Sequence, residues 1–99
     1  MAQVIWTELA FNDLEVIHDF IARESTVYAQ STVEGLFQRV EVLESFPQSG
    51  RTVPEYSRKD IRELIEGNYR IFYKIRLNKV FILRIHHSAR NIVIKRTRK

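Results

Sequence analysis

The chain has 99 residues, 44% of them hydrophobic, and carries 16 Lys and Arg against 12 Asp and Glu, a net charge of +4. That length holds one domain, 1–99, with no room for a second core. The absence of cysteine excludes a disulfide framework and a thiolate site. No apolar run approaches the ~20 residues that span a bilayer, and the first residues lack the pattern of a signal peptide. A cytoplasmic protein with no membrane partner is therefore expected.

The charge is unevenly distributed. Residues 1–50 hold two basic and eight acidic side chains, 2 − 8 = −6, whereas residues 51–99 hold fourteen basic and four acidic ones, 14 − 4 = +10. A basic half of this kind suits nucleic acid or an acidic protein. The plainer alternative is that the two halves neutralise each other across the fold.

Val4-Ile5-Trp6 reads as a first strand. Thr7 then fits a helix N-cap with Glu8 in the first turn, and Ala10, Leu14, Ile17 and Ile21 form one apolar helical stripe. Ser25 or Thr26 caps a second helix that buries Ala29, Val33, Leu36, Phe37, Val40 and Leu43. Close packing against the first helix would account for Gly35, which costs about 1 kcal/mol relative to alanine. Phe46-Pro47 ends the helix, because proline disfavours helical geometry in the residue before it. Two helices with so short a link form an antiparallel hairpin.

Gln48-Ser49-Gly50 is a turn, and 51–60 a polar connector. Strands follow at Ile61–Ile65, 69–76 and 80–87, with turns at Glu66-Gly67-Asn68 and Leu77-Asn78-Lys79. Links this short make the strands antiparallel. The expected fold is α+β, a small antiparallel sheet in the order β-α-α-β-β-β packed on an N-terminal helical hairpin, with a basic tail at 91–99.

Strand alternation places Tyr69, Ile71, Tyr73 and Ile75 on one face and Arg70, Phe72, Lys74 and Arg76 on the other. On the last strand Val80, Ile82, Arg84 and His86 alternate with Phe81, Leu83, Ile85 and His87. One face is apolar and takes the helices. The other mixes cations with aromatic rings, a combination that suits phosphate binding and base stacking. For Arg70 and Arg90 the functional reading is a phosphate or transition-state contact, and the plain one is an ion pair, for Arg70 with Glu63 or Glu66, worth ~0–1 kcal/mol. His86 and His87 can act as acid or base near neutral pH. No metal set, cofactor loop or Ser-His-Asp grouping is visible, so no cofactor is expected.

Taken together, Trp6, Ala10, Asp13-Leu14, Ile17, Leu43, Phe46-Pro47, Gly50-Arg51, Ile61–Leu64, Tyr69–Tyr73 and His87-Ser88-Ala89-Arg90 resemble the RelE/ParE superfamily of type II toxin–antitoxin toxins. The ParE-like, plasmid-stabilisation branch is the nearest. The resemblance implies a growth-inhibiting toxin neutralised by a cognate antitoxin, whose acidic segment would meet the basic second half. If the chain is RelE-like, an endoribonuclease that cuts mRNA on the ribosome, Arg70 and Arg90 align with charge-stabilising arginines. Arg62 then joins them, and proton transfer falls to His86 or His87. The sequence departs from that branch, since Glu63 follows Arg62 and no tyrosine follows Tyr73. If it is ParE-like, it poisons DNA gyrase through a binding surface and needs no catalytic set. Arg51, Arg62, Arg70, Phe72, Lys74, Arg84 and Arg90 are the candidates for contact with target or antitoxin. A non-toxic binding module is a third possibility.

Overall fold

The structure, a computed structural model, describes residues 1–88. Arg90 and the basic tail 91–99 lie outside the described residues. The elements are β1 (Gln3–Trp6), α1 (Glu8–Ala22), α2 (Thr26–Ser45), β2 (Arg51–Thr52), β3 (Ile61–Glu66), β4 (Tyr69–Arg76) and β5 (Lys79–His87). They form one five-stranded sheet in the order β1-β5-β4-β3-β2. β2 through β5 pair antiparallel, as the short links require, while β1 joins β5 in parallel and makes the sheet mixed.

Thr7 starts α1 by two bonds at once. Its hydroxyl accepts from the Ala10 amide at 3.2 Å, satisfying a donor that the helix start leaves unpaired, and donates to the Ile82 carbonyl of β5 at 2.6 Å. The cap thus fixes the helix and ties it to the sheet. Ser25 caps α2 in the same manner through the Tyr28 amide. The buried faces of both helices, including Ala10, Leu14, Ile17, Leu36, Val40 and Leu43, close over Leu64, Ile71, Tyr73, Val80, Ile82 and Ile85 of the sheet. Val33 and Phe37 pack at the margin of this core, with Phe37 against Trp6 at a ring separation of 4.9 Å.

Gly35 does not mark a close approach to α1. A Cβ there would meet only the Glu66 carboxylate of β3, at an ordinary 3.7 Å. Gly50 is the position that demands glycine. A Cβ at Gly50 would sit 2.5 Å from the Glu63 carbonyl and 2.6 Å from the Tyr73 hydroxyl. That hydroxyl accepts from the Gly50 amide and donates to the Pro47 carbonyl, so buried Tyr73 anchors the turn after α2.

The alternation along β5 is interrupted. Phe72 pairs with Arg84 but Tyr73 pairs with Ile82, so Leu83 is an extra residue in the ladder. The phase of the strand therefore changes at Leu83. Arg84 and His86 lie opposite Phe72 and Arg70, not on the face of Val80 and Ile82, and Ile85 turns inward to face Ile71. The connector 51–60 is also more than a polar link. It contributes β2 and folds Val53 over the open sheet face, burying a second, smaller core of Val53, Ile61 and Phe72 with Leu83 alongside.

Both hairpin loops begin with a positive φ, +58° at Gly67 and +56° at Leu77. Glycine adopts this conformation freely. For leucine it costs roughly 1–2 kcal/mol.

Candidate functional site and family membership

On the sheet face away from the helices, β3 and β4 place Glu63 opposite Phe72 and Ile65 opposite Arg70, while β5 places His86 opposite Arg70. Glu63 is the centre of the resulting charge network. Its side chain is fully buried and accepts from Arg70 Nε at 2.6 Å through one oxygen and from Arg51 Nε at 2.5 Å through the other. Arg70 reaches further to the Glu55 carboxylate at 3.3 Å. Burial pulls the Arg70 pKa down, and the hydrogen bonds and charges of Glu63 and Glu55 more than reverse this, so the guanidinium is firmly charged. A carboxylate and a guanidinium this deep are tolerable only because each satisfies the other.

Aromatic rings pack around this network. The Arg70 guanidinium lies 4.8 Å from the Phe72 ring centre, within cation–π range. His86 meets Phe72 edge-on at 5.5 Å on this face, whereas His87 meets Tyr69 edge-on at 5.3 Å on the helix side of the sheet, where Tyr69 packs against the main core. Arg70, Phe72 and His86 are thus brought together, with Arg51 at the rim, its side chain 62% exposed.

Other candidate residues sit elsewhere. Arg62 faces Tyr73 on the helix side of β3 and donates to the Gly50 carbonyl at 2.8 Å, while its buried Nε finds no protein partner. It and Arg70 lie on opposite sides of the sheet. Arg84 is held by Asp13 of α1 through two hydrogen bonds, at 2.9 and 3.1 Å, which raise its pKa. Asp13 also accepts from the Ile85 amide at 2.9 Å. It therefore covers the half of β5 that β1 leaves unpaired. Lys74 is half-buried on the open face, opposite Phe81.

Glu55 and Asp13 hold arginines in place without a local sequence signal, because each acts across more than a dozen residues of chain. Glu63 leaves a trace, being the lone carboxylate between Ile61 and Ile65 in a strand of period two. The plain reading of Arg70, an ion pair with Glu63 or Glu66, thus includes the right partner, but the pair is buried and not of the weak, exposed kind. Among the described residues no group of three or more His, Cys, Asp or Glu is arranged to hold a metal ion. No described helix is long and apolar enough to cross a membrane. A groove between α1 and α2 is lined by Phe11, Leu14, His18, Val33 and Phe37, and Leu9, Val16 and Phe20 leave an exposed apolar stripe along α1.

Residues 4–92 match the model of a family described as the ParE toxin of the type II toxin–antitoxin system parDE. The chain is 36% identical over 91 residues to Toxin RelE2 of Caulobacter vibrioides, covering 91% of this chain and 99% of that protein. Its fold is similar to that of a chain from the chromosomal ParDE toxin–antitoxin system of P. aeruginosa, with a TM-score of 0.74 at 23% identity over 88% of this chain and 96% of the other. A chain of the RelBE2 toxin–antitoxin complex from Mycobacterium tuberculosis aligns with a TM-score of 0.56 at 23% identity, covering 87% of this chain and 96% of that one. Both likenesses carry the same sheet and helical hairpin. With the family model spanning nearly all of it and a relative matched almost end to end, the chain belongs to the ParE toxin family of type II toxin–antitoxin systems.

Proposed function

We propose that this toxin arrests growth by binding DNA gyrase through its open sheet face, and that a cognate antitoxin with an acidic segment neutralises it. The state of Arg70 carries this reading. Its charge is matched internally by Glu63 and Glu55. A sheet that cuts RNA would aim that charge at the phosphate as negative charge develops there, and a buried carboxylate at 2.6 Å opposes an incoming anion. The position of Arg62 on the other side of the sheet supports the same conclusion. What is left at the surface is exposed Arg51 and half-buried His86, held in place by the buried Arg70 and Phe72, an arrangement suited to recognition. For the antitoxin, the exposed apolar stripe of α1 offers contact area and the basic second half offers charge.

The gathering of Arg70, Phe72 and His86 on one face favours a second reading, a ribosome-dependent mRNA endonuclease. Induction in growing cells separates the two. Gyrase poisoning leads to broken DNA and a DNA-damage response with mRNA intact. Codon-phased cuts in primer extension, lost in Arg70→Ala, would instead assign the endonuclease.

A further inference from the structure

We infer that the β4–β5 hairpin is a contact site for duplex DNA, gripping the phosphate backbone with Lys74, Arg76 and Lys79 and presenting Leu77 as a wedge. Two independent observations lead there. The first is charge without a partner. Among the described residues these three cations make no ion pair, unlike Arg51, Arg58, Arg70 and Arg84, each of which is held by a carboxylate. The Lys74 charge helps to lower the Asp60 carboxyl, but Asp60 is itself bound by Arg58 at 2.7 and 3.0 Å. Arg76 and Lys79 pair directly across the ladder, and Lys74 follows Arg76 on the same face two residues along β4, a rise of roughly 7 Å. Three cations outside any ion pair on a rigid ribbon complement a duplex backbone, which carries one charge per ~3.4 Å of axis on each strand.

The second observation is the apex. Leu77 is 92% exposed and holds φ +56°, a conformation that leucine disfavours, with no burial to offset it. Stability of the isolated chain does not explain leucine there. The loop is nonetheless fixed. Asn78 donates through Nδ2 to the Met1 carbonyl at 3.1 Å, and its own carbonyl accepts from the Gln3 amide at 3.0 Å. Proteins that bind the minor groove combine basic side chains with apolar wedges, leucine among them, inserted between base steps. An acidic peptide would match the charges equally well but gives the exposed leucine no role, and the groove between α1 and α2 lies elsewhere. Duplex DNA uses both features.

The test is fluorescence anisotropy of the full chain with a labelled 20-base-pair duplex over a series of salt concentrations. Because the basic tail contributes to every variant alike, the informative quantity is the difference between variants. Replacing Lys74, Arg76 and Lys79 together by glutamine should flatten the slope of log K against log salt by about 2.7, from three lost phosphate contacts at ~0.9 each. Leu77→Asn keeps every charge and suits the backbone conformation. It should weaken binding at least threefold with the slope unchanged. An unchanged slope in the triple variant overturns the inference, as does undiminished affinity in Leu77→Asn. Stronger binding of an acidic peptide than of duplex to the same hairpin, judged by competition, overturns it too. None of these outcomes depends on whether gyrase is the target.

Discussion

At the scale of single residues, Glu63 has the largest consequences. One buried carboxylate fixes Arg70 against the Phe72 ring and holds Arg51 at the rim, so it both shapes the candidate site and consumes the charge of its central cation. Removing one partner of a buried pair strands the other. Glu63→Gln is therefore expected to cost about 3–5 kcal/mol in urea denaturation, whereas Arg51→Ala, at an exposed position, should cost no more than ~1 kcal/mol. Equal costs would show that Glu63 is not the hub. Tyr73 gives a second test. Burial pushes its phenol above the ordinary value, only partly countered by the Gly50 amide. The unfolded chain then ionises first as pH rises, so stability from this group is complete below about pH 10 and is lost as pH climbs through the folded-state pKa. Tyr73→Phe should be less stable at neutral pH by about 1–3 kcal/mol, having lost two buried hydrogen bonds. It should also decline less steeply above pH 10 in pH-dependent unfolding.

At the scale of elements, what could be read locally was legible in the sequence. The caps at Thr7 and Ser25, the stripe Ala10-Leu14-Ile17, the break at Phe46-Pro47 and the two tight hairpins all follow from residues within a few positions of each other. Three features depend on distant pairings and were hidden. β2 is two exposed polar residues whose strand conformation exists only because β3 lies beside it. The parallel docking of β1 on β5 joins residues more than seventy positions apart. The extra residue at Leu83 leaves no mark on the alternation of hydrophobic residues, yet it turns Arg84 and His86 to the open face. The candidate site was legible to the same extent: Arg70 and its aromatic neighbours from strand alternation, but not the carboxylates folded onto them. The free half of β5 illustrates how such distant contacts act. Asp13 both pairs with Arg84 and accepts from the Ile85 amide, protecting an unpaired strand edge. Asp13→Ala should cost about 2–3 kcal/mol, and the Ile85 amide should exchange with solvent faster than its neighbours on β4. Asp13→Asn, which retains an acceptor for that amide, should lose less stability and keep more of the protection.

At the scale of the whole molecule, the fold separates its surfaces. The helical hairpin is acidic and bears an exposed apolar stripe, the open sheet face carries the locked Arg51–Glu63–Arg70 network, and the far hairpin extends unpaired cations. An RNA-cutting sheet needs its cations unbound and converging on one phosphate. The most direct test is a supercoiling assay with purified DNA gyrase and increasing amounts of the toxin. Loss of supercoiling with accumulation of cleaved plasmid, relieved by the antitoxin, is the expected result; unaffected supercoiling at excess toxin would contradict the proposal.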